Sequence, residues 1–113
     1  MPGYNHVLIV GNLVRDPIFF ISENNVPVCK LIVATNDRAG SNGAYFATIV
    51  TRNQLAEMLQ KNARCGMPVL VEGTLRGVPY CDAAGKTQIK TQISAKSVQF
   101  LSANQKNISN EVV

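Results

Sequence analysis

AYFATIVTRNQLAEMLQKNARCGMPVLVEGTLR, Ala44 to Arg76, changes its hydrophobic period twice, and those two changes decide the fold. In AYFATIVTR, alternation places Phe46, Thr48, Val50 and Arg52 on one face and Tyr45, Ala47, Ile49 and Thr51 on the other, as in a strand. After Arg52, Leu55, Met58 and Leu59 recur at i, i+3 and i+4, which makes one apolar stripe on a helix of about three turns. Asn53 is the expected N-cap and Gly66 the left-handed terminus, while Arg64 suits the negative end of the helix dipole. VLVEGTLR, Val69 to Arg76, then returns to period two, with Val69, Val71 and Leu75 on one side and Glu72, Thr74 and Arg76 on the other. One short helix is therefore expected between two strands, plugging the end of a barrel.

Outward from this segment the chain reads as strand throughout. HVLIVGNLV, His6 to Val14, is a first strand with apolar residues on both faces, and Gly11 inside it marks a bulge or a close approach. Asp16-Pro17 breaks the ladder, and IFFI, Ile18 to Ile21, resumes extended structure before a turn at Glu23-Asn24-Asn25. VPVCKLIVAT, Val26 to Thr35, is the second strand, rich in β-branched residues. Asn36 to Gly43 has the composition of a loop. Beyond Arg76 a loop holding Tyr80, flanked by Pro79 and Asp82 and closed by Gly85 and Lys86, leads to KTQIKTQISAKSVQFL. That last strand alternates Ile89, Thr91, Ile93 and Ala95 against Gln88, Lys90, Gln92, Ser94 and Lys96.

The order strand, strand, strand, helix, strand, strand predicts an all-β fold: a five-stranded OB-fold Greek-key barrel with its helix between strands 3 and 4. In that barrel strands two and three, and the loops joining strands one to two and four to five, bind oligonucleotides. A ferredoxin-like arrangement would need a second helix. The barrel is expected over residues 1–101, with residues 102–113 a polar, frayed tail.

Composition narrows the function. At 113 residues and 46% hydrophobic, the chain suits a single core without disulfide support. No apolar run approaches the roughly 18 residues of a membrane span, and MPGYNHV lacks the features of a signal peptide, so the cytoplasm is expected. Cys29, Cys65 and Cys81 show no CxxC pairing, and His6 is the sole histidine, so neither a metal nor another cofactor is expected. The acidic residues are scattered over turns, a helix and strand exteriors, with no GxSxG, Walker glycine loop or HExxH, and no catalysis is expected. The net charge of +4 favours a polyanionic partner.

A sequence-tolerant binder of single-stranded DNA needs cations along the phosphates and flat side chains under the bases. Phe46 and Tyr80 are the candidate platforms; Arg52, Arg76, Lys86, Lys90 and Lys30 are the candidate cations. Phe19 and Phe20 are adjacent, so one ring points outward; Phe20 is the candidate third platform, or a contact between subunits. Phe46 as a core residue and each lysine as plain solvated surface are the competing readings.

YNHVLIVGNLVRDP, VPVCKLIVATN, LAEMLQKNARCGMPVLVEGTLR and SVQFL together resemble the bacterial single-stranded-DNA-binding protein family, from about Tyr4 to Leu101. The resemblance implies an OB-fold, DNA held by stacking and phosphate contacts in replication, repair and recombination, no catalysis, and usually a homotetramer. Phe46 and Tyr80 fall where the family has stacking tryptophans, Arg76 matches a basic groove residue, and His6 falls where a lysine is common. Departures from the pattern are Ala39 near a further tryptophan position, a shortened Asn36 to Gly43 loop, and Arg52 in place of a phenylalanine. The ending SANQKNISNEVV lacks the family's acidic tip, which recruits replication and repair enzymes. Ala47 replaces a histidine of the tetramer contact and Pro68 opens strand four, so a dimer is the alternative assembly. The alternative function is a primosomal replication-restart OB protein acting mainly as an interaction module.

Overall fold

VLIVGNL alternates half-buried Val7 and Ile9 with exposed Leu8 and Val10, ends on fully buried Leu13, and forms β1 (Val7–Leu13). The computed structural model describes residues 3–36 and 43–101; Ala39 and the tail from Ser102 lie outside the described residues. β1 is followed by β2 (Ile18–Ile21), β3 (Pro27–Asn36), β4 (Ala44–Arg52), α1 (Asn53–Asn62), β5 (Pro68–Cys81) and β6 (Thr87–Phe100).

The strands close as β1-β5-β6-β4-β3, with β3 returning to β1 through Asn12↔Ala34 and Leu13↔Val33. That ring is the expected five-stranded barrel. The sixth strand, β2, is the second half of the first: it pairs with the opening of β3, Ile18↔Lys30 to Ile21↔Pro27, on the same edge of β3 that β1 reaches at its end. Val14 to Pro17 separate the halves while only Leu31 and Ile32 of β3 pass beneath them, so the chain bulges and the pairing resumes. Pro17, which lacks an N–H, sits in that gap.

Period two fills the interior. Cys29, Leu31 and Val33 of β3, Ile49 of β4, Val69 and Val71 of β5, and Ile93 and Val98 of β6 are buried with Leu13. Each fully buried aliphatic side chain contributes about 1.5–3 kcal/mol. Thr51 is the one buried polar residue among those described, and its hydroxyl donates to the Cys29 carbonyl at 2.9 Å. Burial pushes the Cys29 thiol above its usual range, and Cys65 and Cys81 are exposed and unbridged.

Gly11 meets the close-approach expectation: a Cβ there would collide with the Ala34 carbonyl where β1 crosses to β3. Gly73 marks a bend that sequence did not reveal. Glu72 pairs with Ser97 and Gly73 with Ala95, leaving Lys96 as the extra residue of a bulge, and a Cβ on Gly73 would strike the Ser94 carbonyl.

α1 buries Ala56 and Leu59 at the barrel end, with Leu55 and Met58 packed against the core. Its caps differ from expectation. Asn53 is the first helical residue, with φ 62°, and no side chain caps the start. At the other end extended Ala63 donates its N–H to the Leu59 carbonyl, and Gly66 turns with φ 92° farther on. Arg64 does serve that end, its guanidinium donating to the Ala63 carbonyl at 2.7 Å. Among the described residues no helix is long and apolar enough to cross a membrane.

Candidate nucleic-acid interface

Strand parity places most of the candidate side chains on one face. With Cys29, Leu31, Ile49, Thr51, Val71 and Ile93 turned inward, the alternate positions Lys30, Phe46, Arg52, Arg76, Tyr80 and Lys90 turn outward. The registers arrange them in rows across the sheet: Phe20↔Val28↔Arg52, then Lys30↔Val50↔Ser94↔Thr74, with Arg76↔Gln92 beside them.

The first rows fold into a groove. Phe20, Lys30, Arg52 and Arg76 line a single cavity of about 500 Å³ floored by Val28, Val50 and Val78. Val28 and Val50 are buried although they face outward, so the groove has an apolar floor beneath a cationic rim. Phe20 is 41% exposed, and the Lys30 ammonium lies 5.8 Å from its ring centre, a cation–π distance that orients both. Among the described residues the one close contact between a basic and an acidic side chain is His6–Glu72, and no described acidic side chain pairs with Lys30, Arg52 or Arg76. Three cations gathered in one groove, none of them paired with a described acidic side chain, produce a positive potential that attracts a polyanion.

Phe46 lies outside that cavity, 67% exposed, at a second one of about 260 Å³ shared with Ala47, Thr48, Leu75, Thr91, Gln92 and Ile93. Gln92 lines both cavities, so the two adjoin at its side chain. Sequence reasoning placed Gln92 on the correct face but gave it no role, since a polar residue in an alternating strand carries no signal of its own.

Tyr80 is corrected. The expected loop is largely strand: β5 continues to Cys81 and β6 begins at Thr87, so Tyr80 is paired opposite Gln88 and only Asp82 to Lys86 turn. Its ring is 47% exposed and belongs to a hairpin that runs past the barrel. The turn is held by the Asp82 carboxylate, which accepts from the Ala84 and Lys86 amides at 2.9 Å each and from the Gln88 side chain at 3.1 Å. The Lys86 amide above all, then the Gln88 side chain, holds the Asp82 carboxyl below its ordinary range. Lys86 closes this turn, and Lys90 pairs with Val78 along the hairpin; neither lines the groove.

His6 is placed elsewhere. It precedes β1, and its Nε2 lies 2.8 Å from the Glu72 carboxylate on β5, away from the groove-lining residues.

A closed OB barrel with a cationic, aromatic-edged groove across its outer face is the architecture of an oligonucleotide-binding module. The model of the single-strand binding protein family matches residues 4–101, and the chain belongs to that family, whose members bind single-stranded DNA and are not enzymes. It is 33% identical over 95% of its length to single-stranded DNA-binding protein 2 of Chlorobaculum tepidum, of which the match covers 77%. It is 31% identical over 86% of its length to the single-stranded DNA-binding protein of Caldanaerobacter subterraneus, covering 67% of that protein. The same identity and share hold for single-stranded DNA-binding protein A of Bacillus subtilis, of which 59% is covered.

Proposed function

We propose that the chain coats single-stranded DNA without regard to sequence, the strand lying along the Phe20–Lys30–Arg52–Arg76 groove and continuing over Phe46 to the Tyr80 hairpin. The observation that carries this is the gathering of three cations and an aromatic ring from four strands into one groove with no acidic partner among the described residues. Phosphates are held by Arg52, Arg76 and Lys30, with Lys86 and Lys90 extending the positive track. Bases stack on Phe46, Tyr80 and Phe20, each contact worth roughly 1–3 kcal/mol and tolerant of any base. The binding domain is residues 1–101, and the setting is cytoplasmic DNA opened during replication, repair and recombination.

His6, occupied by Glu72, belongs to a different surface in this proposal. Val7 to Gly11 pair with β5 on one side, and among the described residues their other edge is open. Leu8 and Val10 beside that edge are 58% and 51% exposed. An unpaired edge with an apolar flank suits a second copy related by a twofold axis. Pro79 and Ile89, register neighbours on the hairpin face turned from the groove, form a second exposed apolar surface. Two different twofold contacts build a homotetramer, and one alone a dimer.

The test is anisotropy titration of labelled oligo-dT across a salt series, with light scattering on the same samples. Affinity should fall linearly with salt on logarithmic axes through counterion release. Val10→Arg should reduce the mass of the assembly. Salt-independent binding would overturn the groove assignment, and an unchanged mass in Val10→Arg the β1 contact.

A further inference from the structure

The barrel is not closed evenly between β4 and β6. Parallel pairing joins only Ile49↔Ile93 and Val50↔Ser94. Toward the starts of both strands the pairing stops, although β4 remains bonded to β3 and β6 to β5 on their far sides. A wedge opens there, and the 260 Å³ cavity occupies it. Phe46, Thr48 and Gln92 have outward parity and stand at its rim, whereas Ala47, Leu75, Thr91 and Ile93 have inward parity and form its floor.

This wedge has the chemistry of a receptor for one flat heterocycle. Phe46 supplies a ring face, while Ala47, Leu75 and Ile93 supply an apolar base. Gln92 supplies a carboxamide, one acceptor and two donors on a planar group. Such an amide matches the adjacent N3–H and O4 of thymine in a paired hydrogen bond, and the apolar floor accepts the thymine methyl. Because Gln92 also lines the main groove, a strand in that groove passes the mouth of the wedge.

We propose that the β4–β6 wedge is a slot for one pyrimidine base of the bound strand, with Phe46 against its ring and the Gln92 carboxamide on its Watson–Crick edge. The proposal rests on the groove binding single-stranded DNA and adds to it a base preference that stacking alone does not provide. A platform accepts any base, because every base has a flat face. A slot that also reads an edge distinguishes a base with a free edge from one whose edge is blocked.

Oligo-dT is compared with the same oligonucleotide built from N3-methylthymidine, which keeps the ring face and the phosphates but blocks the edge. The unmodified chain should bind the methylated strand roughly tenfold more weakly, within the range of one paired edge contact. Gln92→Leu, checked for unchanged thermal unfolding, should bind the two strands equally. Equal binding of both by the unmodified chain overturns the slot, and so does discrimination that survives in Gln92→Leu. In either case salt-dependent binding of oligo-dT persists if the groove itself is correctly assigned. Failure of both strands to bind overturns groove and slot together.

Discussion

The hairpin of β5 and β6 is two structures in one pair of strands. In the barrel half, Val69 and Val71 on β5 and Val98 on β6 are buried, and the bulge at Lys96 bends the ladder around the core. In the projecting half, from Leu75 to Cys81 and back through Gln92, every residue is exposed or half-exposed. The same alternation runs through both halves, so period two alone does not say what a strand's faces meet. In the first half register is fixed by burial, since a one-residue slip would turn the valines to water. In the second it is fixed by the turn and the ladder, and the side chains are released for contact with a ligand.

The widest separation between the halves should appear in stability. Leu31→Ala, which empties a fully buried site in the barrel, should destabilise by about 2–5 kcal/mol in denaturant unfolding. Lys90→Ala in the projecting half should stay within about 0.5 kcal/mol of the parent, as exposed substitutions do. Comparable losses would mean that the hairpin is buried against something, for instance a second copy.

Binding should rank the halves in reverse. Tyr80→Ala should weaken oligo-dT by roughly 1–3 kcal/mol while leaving the unfolding midpoint in place. Arg76→Ala, where the hairpin enters the groove, should lower affinity and reduce the magnitude of the salt slope by about 0.7, the single-strand value for one phosphate contact. A salt slope unchanged in Arg76→Ala would remove that guanidinium from the phosphate track.

The barrel half was legible because its signals are local. Alternating β-branched residues give strands, Leu55, Met58 and Leu59 give the helix, and Asp16-Pro17 gives the interruption that splits the first strand. The projecting half was misjudged at Pro79, which looks like a loop residue because it cannot donate to a ladder. Beyond Gly73, however, β1 no longer pairs with β5, and a proline on such an edge interrupts no sheet. The same composition makes Tyr80 look like a loop residue when it lies in a strand. Asn53 was misplaced for another reason: its left-handed φ belongs to the junction between β4 and α1, which no cap pattern encodes. The role of Gln92 was hidden because nothing in either strand alone indicates that β4 and β6 part after two pairs.

The smallest effect expected is also the most local. Asp82 holds the far end of the hairpin, and its carboxyl is shifted downward by the amides it accepts from. A group whose folded pKa is lowered contributes stability that is fully present above the unfolded value, about 3.9 for aspartate, and lost as pH falls through the folded value. The turn should therefore be unaltered between pH 7 and 5 and open only below the ordinary carboxylate range. Amide NMR would show this as shifts at Ala84 and Lys86 that move together in acid, while barrel amides such as those of Leu31 and Ile49 hold still. Asp82→Asn keeps one oxygen as an acceptor but cannot gain or lose the charge, so its Ala84 and Lys86 amides should show no acid transition. If they titrate as in the parent, another group controls the turn; if barrel amides move with them, the two halves are coupled through the bulge at Gly73 rather than independent.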